Sequence, residues 1–298
     1  MPQTKPVLTL QTLLAQYRNT SALKAGIVRS PLVELAFAEV KTANKLFKAV
    51  VREQKFDLAE LAIATFLQAK AYRKGYVLMP AVIVARGQHH TIFYNPERGH
   101  LNPGDLHDLH GRRVGVRAYT QTTGAWVRGF LQEDYGVDFR RVHWITFEEP
   151  HVAEFTDPPW VQRAPEGKDL LQMLLDGEID AAIFGSENPQ GTPLKPLIPN
   201  ATDVATRWAE THGGVPINHM MVVKNSISQS RPDVVREVYR MLKQSAAGDT
   251  AKGGGVRFGV QAVRESLETI IDYSQRQGLI PHRFSVNELF DDVTRRLD

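Results

Sequence analysis

The 298-residue chain contains no cysteine. Disulfides, thiolate nucleophiles, thiolate metal sites and iron–sulfur clusters are therefore excluded. No apolar run approaches the roughly 20 residues needed to cross a bilayer. The net charge is only +3, too weak a field to imply a nucleic-acid partner. The basic pairs Arg112-Arg113, Arg140-Arg141 and Arg295-Arg296 read as solvated faces. There is no HExxH, no GxSxG and no GxGxxG after a strand. The stretch 246–255, AAGDTAKGGG, lacks the Gly-Lys-Ser/Thr of a phosphate loop and reads as a flexible connection. The first residues, MPQTKPVLTLQTLLAQYRN, show no basic, apolar and small-residue succession of a secretory signal. A cytoplasmic location is the expectation.

What is present is a globular composition, 42% hydrophobic and 23% charged, with length for one large domain or two modest ones. Apolar residues at 35, 40, 43, 47, 50 and 51 recur at helical spacing and predict a helix over 32–53. Residues 56–62 then read as a strand, with the apolar run carried on to Ala64. Further strands are predicted at 77–84, 114–116, 141–147 and 179–184. Helices are predicted over 124–133, 169–176, 234–245 and 260–277, with Gly136, Gly177 and Gly278 as stops. This alternation argues for α/β layers with largely parallel sheets. The spacing Phe47, Val50, Val51, Asp57, Ala59 repeats as Leu170, Met173, Leu174, Asp180, Ala182. It reads either as the general likeness of two αβ units or as two similar α/β lobes in one chain.

Several residues stand out chemically. Residues 119–124 follow a strand and open a helix, where Thr122 or Thr123 caps the helix or its free N–H groups attract an anion. His89 and His90 end the strand around Val82 to Ala85, beside Arg86. His219 precedes an apolar strand and is either a core residue or a proton carrier. Converging with His89 or His90, it would form a proton-donor pair or half a metal site. Glu60 lies in an apolar strand and needs a partner, for which Arg86, Arg128 and Tyr17 are candidates. Arg128 ranks below Arg86 because it reads as a surface residue. His107 and His110 have i,i+3 spacing but no evident third ligand, so no metal site is assigned.

A resemblance gathers these residues. Tyr17-Arg18-Asn19-Thr20-Ser21-Ala22-Leu23, Phe56-Asp57-Leu58-Ala59-Glu60-Leu61 and Gly111-Arg112-Arg113-Val114-Gly115-Val116 come first. Tyr119-Thr120-Gln121-Thr122-Thr123-Gly124-Ala125-Trp126, Glu148-Glu149-Pro150, Gly177-Glu178-Ile179-Asp180-Ala181 and Pro216-Ile217-Asn218-His219 follow. In that order they resemble the 4,5-dihydroxyphthalate decarboxylase family over residues 17–24 and 56–244. The chain departs from the family at Gln88-His89-His90-Thr91, where an Arg-His-Ser string is usual, and at Arg18, where the family carries an acid.

The resemblance implies an α/β, two-lobed fold like the type II periplasmic binding proteins, with a central ligand cleft. Lobe one is expected from 1–95 and 216–298, lobe two from 96–215. The implied function is decarboxylation of 4,5-dihydroxyphthalate or a close aromatic carboxylate, giving a protocatechuate-like product and carbon dioxide. Ring hydroxyls supply the electrons, so no cofactor is expected, and nothing supports a divalent metal. His219, His89 and Glu60 are the expected catalytic residues. Tyr17, Asn19, Thr20, Arg86, His90, Tyr119, Thr122, Thr123, Trp126, Ser186 and Asn218 are expected to bind substrate. A non-catalytic solute-binding protein for a small carboxylate is the alternative, since one fold hosts both. No membrane or nucleic-acid partner is expected. The stripe Val263, Leu267, Ile270, Ile271 is consistent with a homo-oligomer or with packing on lobe one.

Overall fold

A computed structural model describes residues 7–98, 101–185, 189–247 and 255–298. In chain order the elements begin with β1 (Leu8–Leu13), α1 (Ser21–Lys24), β2 (Val33–Phe37), α2 (Phe47–Glu53), β3 (Leu58–Ala62), α3 (Ile63–Ala71) and β4 (Tyr76–Ala85). There follow β5 (Ile92–Tyr94), β6 (Arg113–Val116), α4 (Thr122–Glu133), β7 (His143–Thr146), β8 (Val161–Arg163), α5 (Leu170–Asp176), β9 (Ala181–Ile183), β10 (Lys195–Pro196) and α6 (Ala201–Thr211). The last are β11 (Ile217–Lys224), α7 (Asn225–Ser230), α8 (Pro232–Ala246) and α9 (Val260–Arg276). The chain divides into two compact units. The first comprises Met1–Arg86, Ile217–Ile271 and Ile280–Asp298, and the second Gly87–Pro216 and Asp272–Leu279.

The first unit holds a sheet in the order β2-β1-β3-β11-β4. β1 runs parallel to β2 and β3, while β11 is antiparallel to β3 and β4. Leu10, Leu14, Leu58, Met79, Ile83, Met221 and Val223 pack with Val234, Val235, Val238, Tyr239, Met241 and Leu242 of α8. Pro80 interrupts β4 without harm because β4 is the sheet's edge, where a missing N–H is tolerated. The segment around Phe258 bridges to Ala81 there.

The second unit holds a sheet in the order β10-β5-β9-β6-β7-β8. β9, β6, β7 and β8 are parallel neighbours; β5 and β10 add antiparallel at one edge. Both sheets are thus mixed rather than largely parallel.

The two α–turn–strand repeats occupy equivalent places. α2 ends at Gln54 and α5 at Gly177, both in the left-handed conformation that closes a helix. Each repeat then leads through an aspartate into a buried strand. Asp57 accepts from the Gln11 backbone N–H of β1 at 2.9 Å. Asp180 accepts from the Arg113 backbone N–H of β6 at 2.8 Å. The same sequence device therefore joins neighbouring parallel strands in both units.

One element differs from its sequence pattern. Residues 32–53 are not one helix: β2 occupies the first part, a 3₁₀ turn Ala43–Leu46 follows, and only α2 is α-helical. β2 pairs with β1 in register Leu10↔Leu35, so inter-strand hydrogen bonding overrides a helical spacing. β1 itself had no counterpart among the predicted elements. β3 stops at Ala62 and the apolar run continues as α3. The predicted stripe Val263, Leu267, Ile270, Ile271 is fully buried within the chain itself. It therefore offers no free face to a second copy.

Candidate active site

Glu60 lies on β3, opposite Met221 of β11 in the antiparallel ladder, with His219 opposite Ala62. Residues two apart on a strand share a face, so Glu60 and His219 are diagonal neighbours on one side of the sheet. β11 shifts register against β4 on either side of His219. Such irregularities re-aim side chains next to functional sites.

Glu60 is completely buried, and three donors reach its carboxylate. The Ala15 backbone N–H donates to Oε2 at 3.0 Å. The Tyr17 hydroxyl donates to Oε1 at 2.6 Å, and His219 Nδ1 lies 2.6 Å from the same oxygen. A carboxylate only accepts, so Nδ1 carries the hydrogen and Nε2 is left for another partner. The His219 side chain is 20% exposed, and its ring meets the Phe47 ring edge-on at 5.3 Å. Burial, then the Glu60 charge, pushes the Tyr17 phenol up, so it remains a protonated donor.

The loop before α1 holds this arrangement. Thr20 Oγ1 accepts from the Tyr17 backbone N–H at 2.9 Å and donates to Ala15 O at 3.0 Å. Asn19 Nδ2 donates to Ile83 O of β4 at 3.1 Å. Asn19 and Thr20, expected at a substrate, instead spend these groups fixing the loop that presents Tyr17 and the Ala15 N–H. Lys24, which sequence reasoning missed, donates to Leu14 O at 2.7 Å and sits 5.0 Å from the centre of the Phe37 ring. Burial lowers its pKa, and the Glu60 charge opposes that shift. It is half-buried, and its acceptor Leu14 adjoins Ala15, whose N–H meets Glu60, a placement that nothing in its local sequence signals. Arg86, at the end of β4, is partly buried and its pKa is lowered for that reason. Asn218, beside His219, is buried.

The expected residues of the second unit stand in a different setting. His89 opens a 3₁₀ turn, His89–Thr91, and is completely buried. Its ring stacks on Phe130 at 4.1 Å between centroids, and neither ring nitrogen has a hydrogen-bond partner among the described residues. Burial, then neighbouring His90 and His212, lowers its pKa to about 4. A neutral, enclosed imidazole is a packing group here rather than an accessible proton donor. His90 is partly exposed. Trp126, expected at a ligand, is buried against Phe130, Trp208 and Tyr273. Tyr119 is also buried, donating to Gln277 O at 3.2 Å and accepting from Trp160 Nε1 at 2.9 Å. Thr122 and Thr123 open α4, whose N-cap position is Gln121, so neither threonine is the cap.

Arg128, read as a surface residue, is completely buried. Ser186 lies outside the described residues, as does His100. His110 Nε2 accepts from the Asp138 backbone N–H at 3.0 Å. Among the described residues no group of three His, Asp or Glu is placed to hold a metal ion. Among them, too, no helix is long and apolar enough to cross a membrane.

No protein-family model matches the chain. A 4,5-dihydroxyphthalate decarboxylase of Comamonas testosteroni is 27% identical over 255 residues, 80% of this chain and 75% of that protein. A second, from Pseudomonas putida, is 29% identical over 184 residues, 59% of this chain and 70% of that protein. Among solved structures, the periplasmic aliphatic sulphonate binding protein SsuA from Escherichia coli superposes with a TM-score of 0.59. It is 11% identical, and 97% of this chain and 93% of that chain are covered. The desulfurization enzyme DszB gives a TM-score of 0.55 at 13% identity, covering 97% and 98% of the two chains. The fold is therefore that of the type II periplasmic binding proteins, which carries both binding proteins and enzymes. In sequence the chain is similar to 4,5-dihydroxyphthalate decarboxylases.

Proposed function

We propose that the protein is a carboxy-lyase acting on 4,5-dihydroxyphthalate or a close aromatic carboxylate. The observation that carries this reading is the Glu60–His219 pair: a buried carboxylate at 2.6 Å fixes Nδ1 and leaves Nε2 on a partly exposed ring. That is the arrangement of an oriented proton donor. The similarity to proteins named for this reaction supports the choice of substrate.

Each carboxylate of 4,5-dihydroxyphthalate has a ring hydroxyl para to it. As that hydroxyl gives up its proton to solvent water, electron density moves to the carboxylate-bearing carbon. His219, protonated on both ring nitrogens in this step, delivers its Nε2 hydrogen to this carbon. The bond to the carboxylate then breaks, carbon dioxide leaves, and the bond's electron pair restores the aromatic ring as a phenolate, which takes back a proton from solvent water. Glu60 holds the imidazole and offsets its charge; Tyr17 holds Glu60. Lys24 and Arg86 supply the cationic groups that a dianionic substrate calls for.

The test is incubation of the purified chain with 4,5-dihydroxyphthalate, following carbon dioxide and protocatechuate. We expect turnover, and a loss of about 10²–10⁴-fold in kcat for His219→Asn. Full turnover by that variant removes His219 from the mechanism. The second reading, a binding protein for a small carboxylate, draws on the fold shared with SsuA. Tight binding without turnover, together with recovery from the periplasm on cell fractionation, selects it.

A further inference from the structure

α4 starts without a side-chain cap, and its first turn carries no acidic residue. Uncapped N–H groups at a helix start attract anions, but by themselves they define no site. The second feature lies within the same turn. The completely buried Arg128 folds back along the helix toward its start. Its Nη2 donates to Tyr119 O at 2.6 Å and its Nε to Gln277 Oε1 at 2.8 Å. The guanidinium carbon lies 4.0 Å from the centre of the Tyr119 ring and 5.2 Å from that of Trp144.

The remaining nitrogen, Nη1, has no hydrogen-bond partner among the described residues. It lies 3.0 Å from where a Cβ on Gly124 would stand. Glycine at 124 thus leaves room for the guanidinium beside the first turn of α4. Among the described residues no carboxylate forms an ion pair with Arg128. Asp157 acts on it only through space and pairs instead with Arg163 at 3.9 Å. Burial brings the Arg128 pKa down to about 10, which leaves it cationic at neutral pH.

A buried charge without a counter-charge is costly and is retained where something offsets it. Here the guanidinium and the helix dipole place positive potential on the same stretch, residues 119–124. We propose that Arg128 is a positioning charge that makes the loop 119–124 a binding site for the carboxylate of a small aromatic acid. The decarboxylase reading supplies the ligand class; the electrostatic argument stands on the geometry.

Gln277 provides the sharpest test. Its Oε1 already meets Arg128 Nε, so Gln277→Glu puts a carboxylate against the guanidinium and cancels its field while keeping that bond; the Nε2 donation to Ala125 O at 2.8 Å is lost, and Gln277→Met, which loses it without adding a charge, is the control. Phthalate, which lacks the ring hydroxyls, is the probe, measured by titration calorimetry on the full chain; benzamide is the neutral control. We expect Gln277→Glu and Arg128→Met each to weaken phthalate binding by about tenfold or more. Arg128→Lys should recover part of the loss, and benzamide binding should not move. A purely structural Arg128 would lose no more phthalate affinity in Gln277→Glu than in Gln277→Met, since both break the bond to Ala125 O and only the first cancels the charge. If Arg128→Met does not fold, Gln277→Glu compared with Gln277→Met decides. Phthalate binding within twofold of wild type in folded Gln277→Glu overturns the proposal, as does absence of phthalate binding by the wild-type chain. Turnover of 4,5-dihydroxyphthalate by wild type is scored separately. Phthalate binding that obeys Arg128 without turnover sinks the decarboxylase reading and keeps the site. Turnover with phthalate binding indifferent to both variants does the reverse.

Discussion

At the residue scale, Glu60 carries the largest consequences. It accepts from Ala15, Tyr17 and His219, so exchanging it for an amide forces a donor against a donor. Glu60→Gln is expected to lower kcat by about 10²-fold with a smaller change in KM, since His219 loses its orientation. It should also cost about 2–3 kcal/mol in denaturant unfolding, because a buried donor is left unpaired. Tyr17→Phe removes one hydrogen bond to a charged group and should cost about 1.5–3 kcal/mol. A Glu60→Gln enzyme with unaltered kcat would show that the pair is architectural. The sequence marked Glu60 because a polar residue in an apolar strand demands a partner, with Tyr17 among the candidates, and marked His219 separately as a lone histidine beside an apolar strand. It did not reveal Lys24, whose role depends on the fold bringing α1 beside β1. Nor did it place Asn19, whose side chain is consumed by Ile83 O, distant in sequence, or Thr20, whose hydroxyl binds the local backbone at Tyr17 and Ala15.

At the scale of elements, α4 and the end of α9 meet within the second unit. A Cβ on Gly129 would run into the Tyr273 ring, and the Tyr273 hydroxyl donates to Glu133 at the end of α4. Gly129→Ala removes a glycine from a helix interior, which favours helix by about 1 kcal/mol. The forced displacement of a buried ring outweighs that gain, and a net loss of about 1–3 kcal/mol is expected. Chemical denaturation with near-ultraviolet dichroism of the aromatic cluster checks it; a stabilised variant would mean the ring moves freely. Helix limits were readable where chemistry marks them, as at Asp169, whose carboxylate accepts from Gln172 N, and at Gly177. They were misread over 32–53. There the apolar spacing satisfied a helix, and only pairing with a β1 that is distant in sequence decided for a strand.

At the scale of the whole molecule, pH acts on stability through His89. Its folded pKa of about 4 is below the ordinary 6.5 because burial comes first, followed by His90 and His212. Between these values the unfolded chain binds a proton that the folded chain does not. Stability is therefore full above pH 6.5 and falls as pH drops toward 4, by on the order of 3 kcal/mol. His89→Phe should keep the stack on Phe130, remove two unpartnered nitrogens and flatten this slope. Melting temperatures of both proteins from pH 7.5 to 4 measure the difference; parallel profiles would acquit His89.

The sequence alone determined the α/β class, the two related α–turn–strand repeats and the short list of titratable residues. It could do so because these rest on local periodicity, on turn chemistry and on polar residues within apolar runs. Tertiary structure alone decided which histidine is accessible. His89 and His219 both adjoin apolar sequence, yet one is enclosed against Phe130 and the other is held by Glu60 with its second nitrogen free of that pair. It also decided that Arg128 is an interior charge and not a surface one. Burial and pairing depend on strands and helices far apart in the chain, and no local pattern encodes which neighbours they bring.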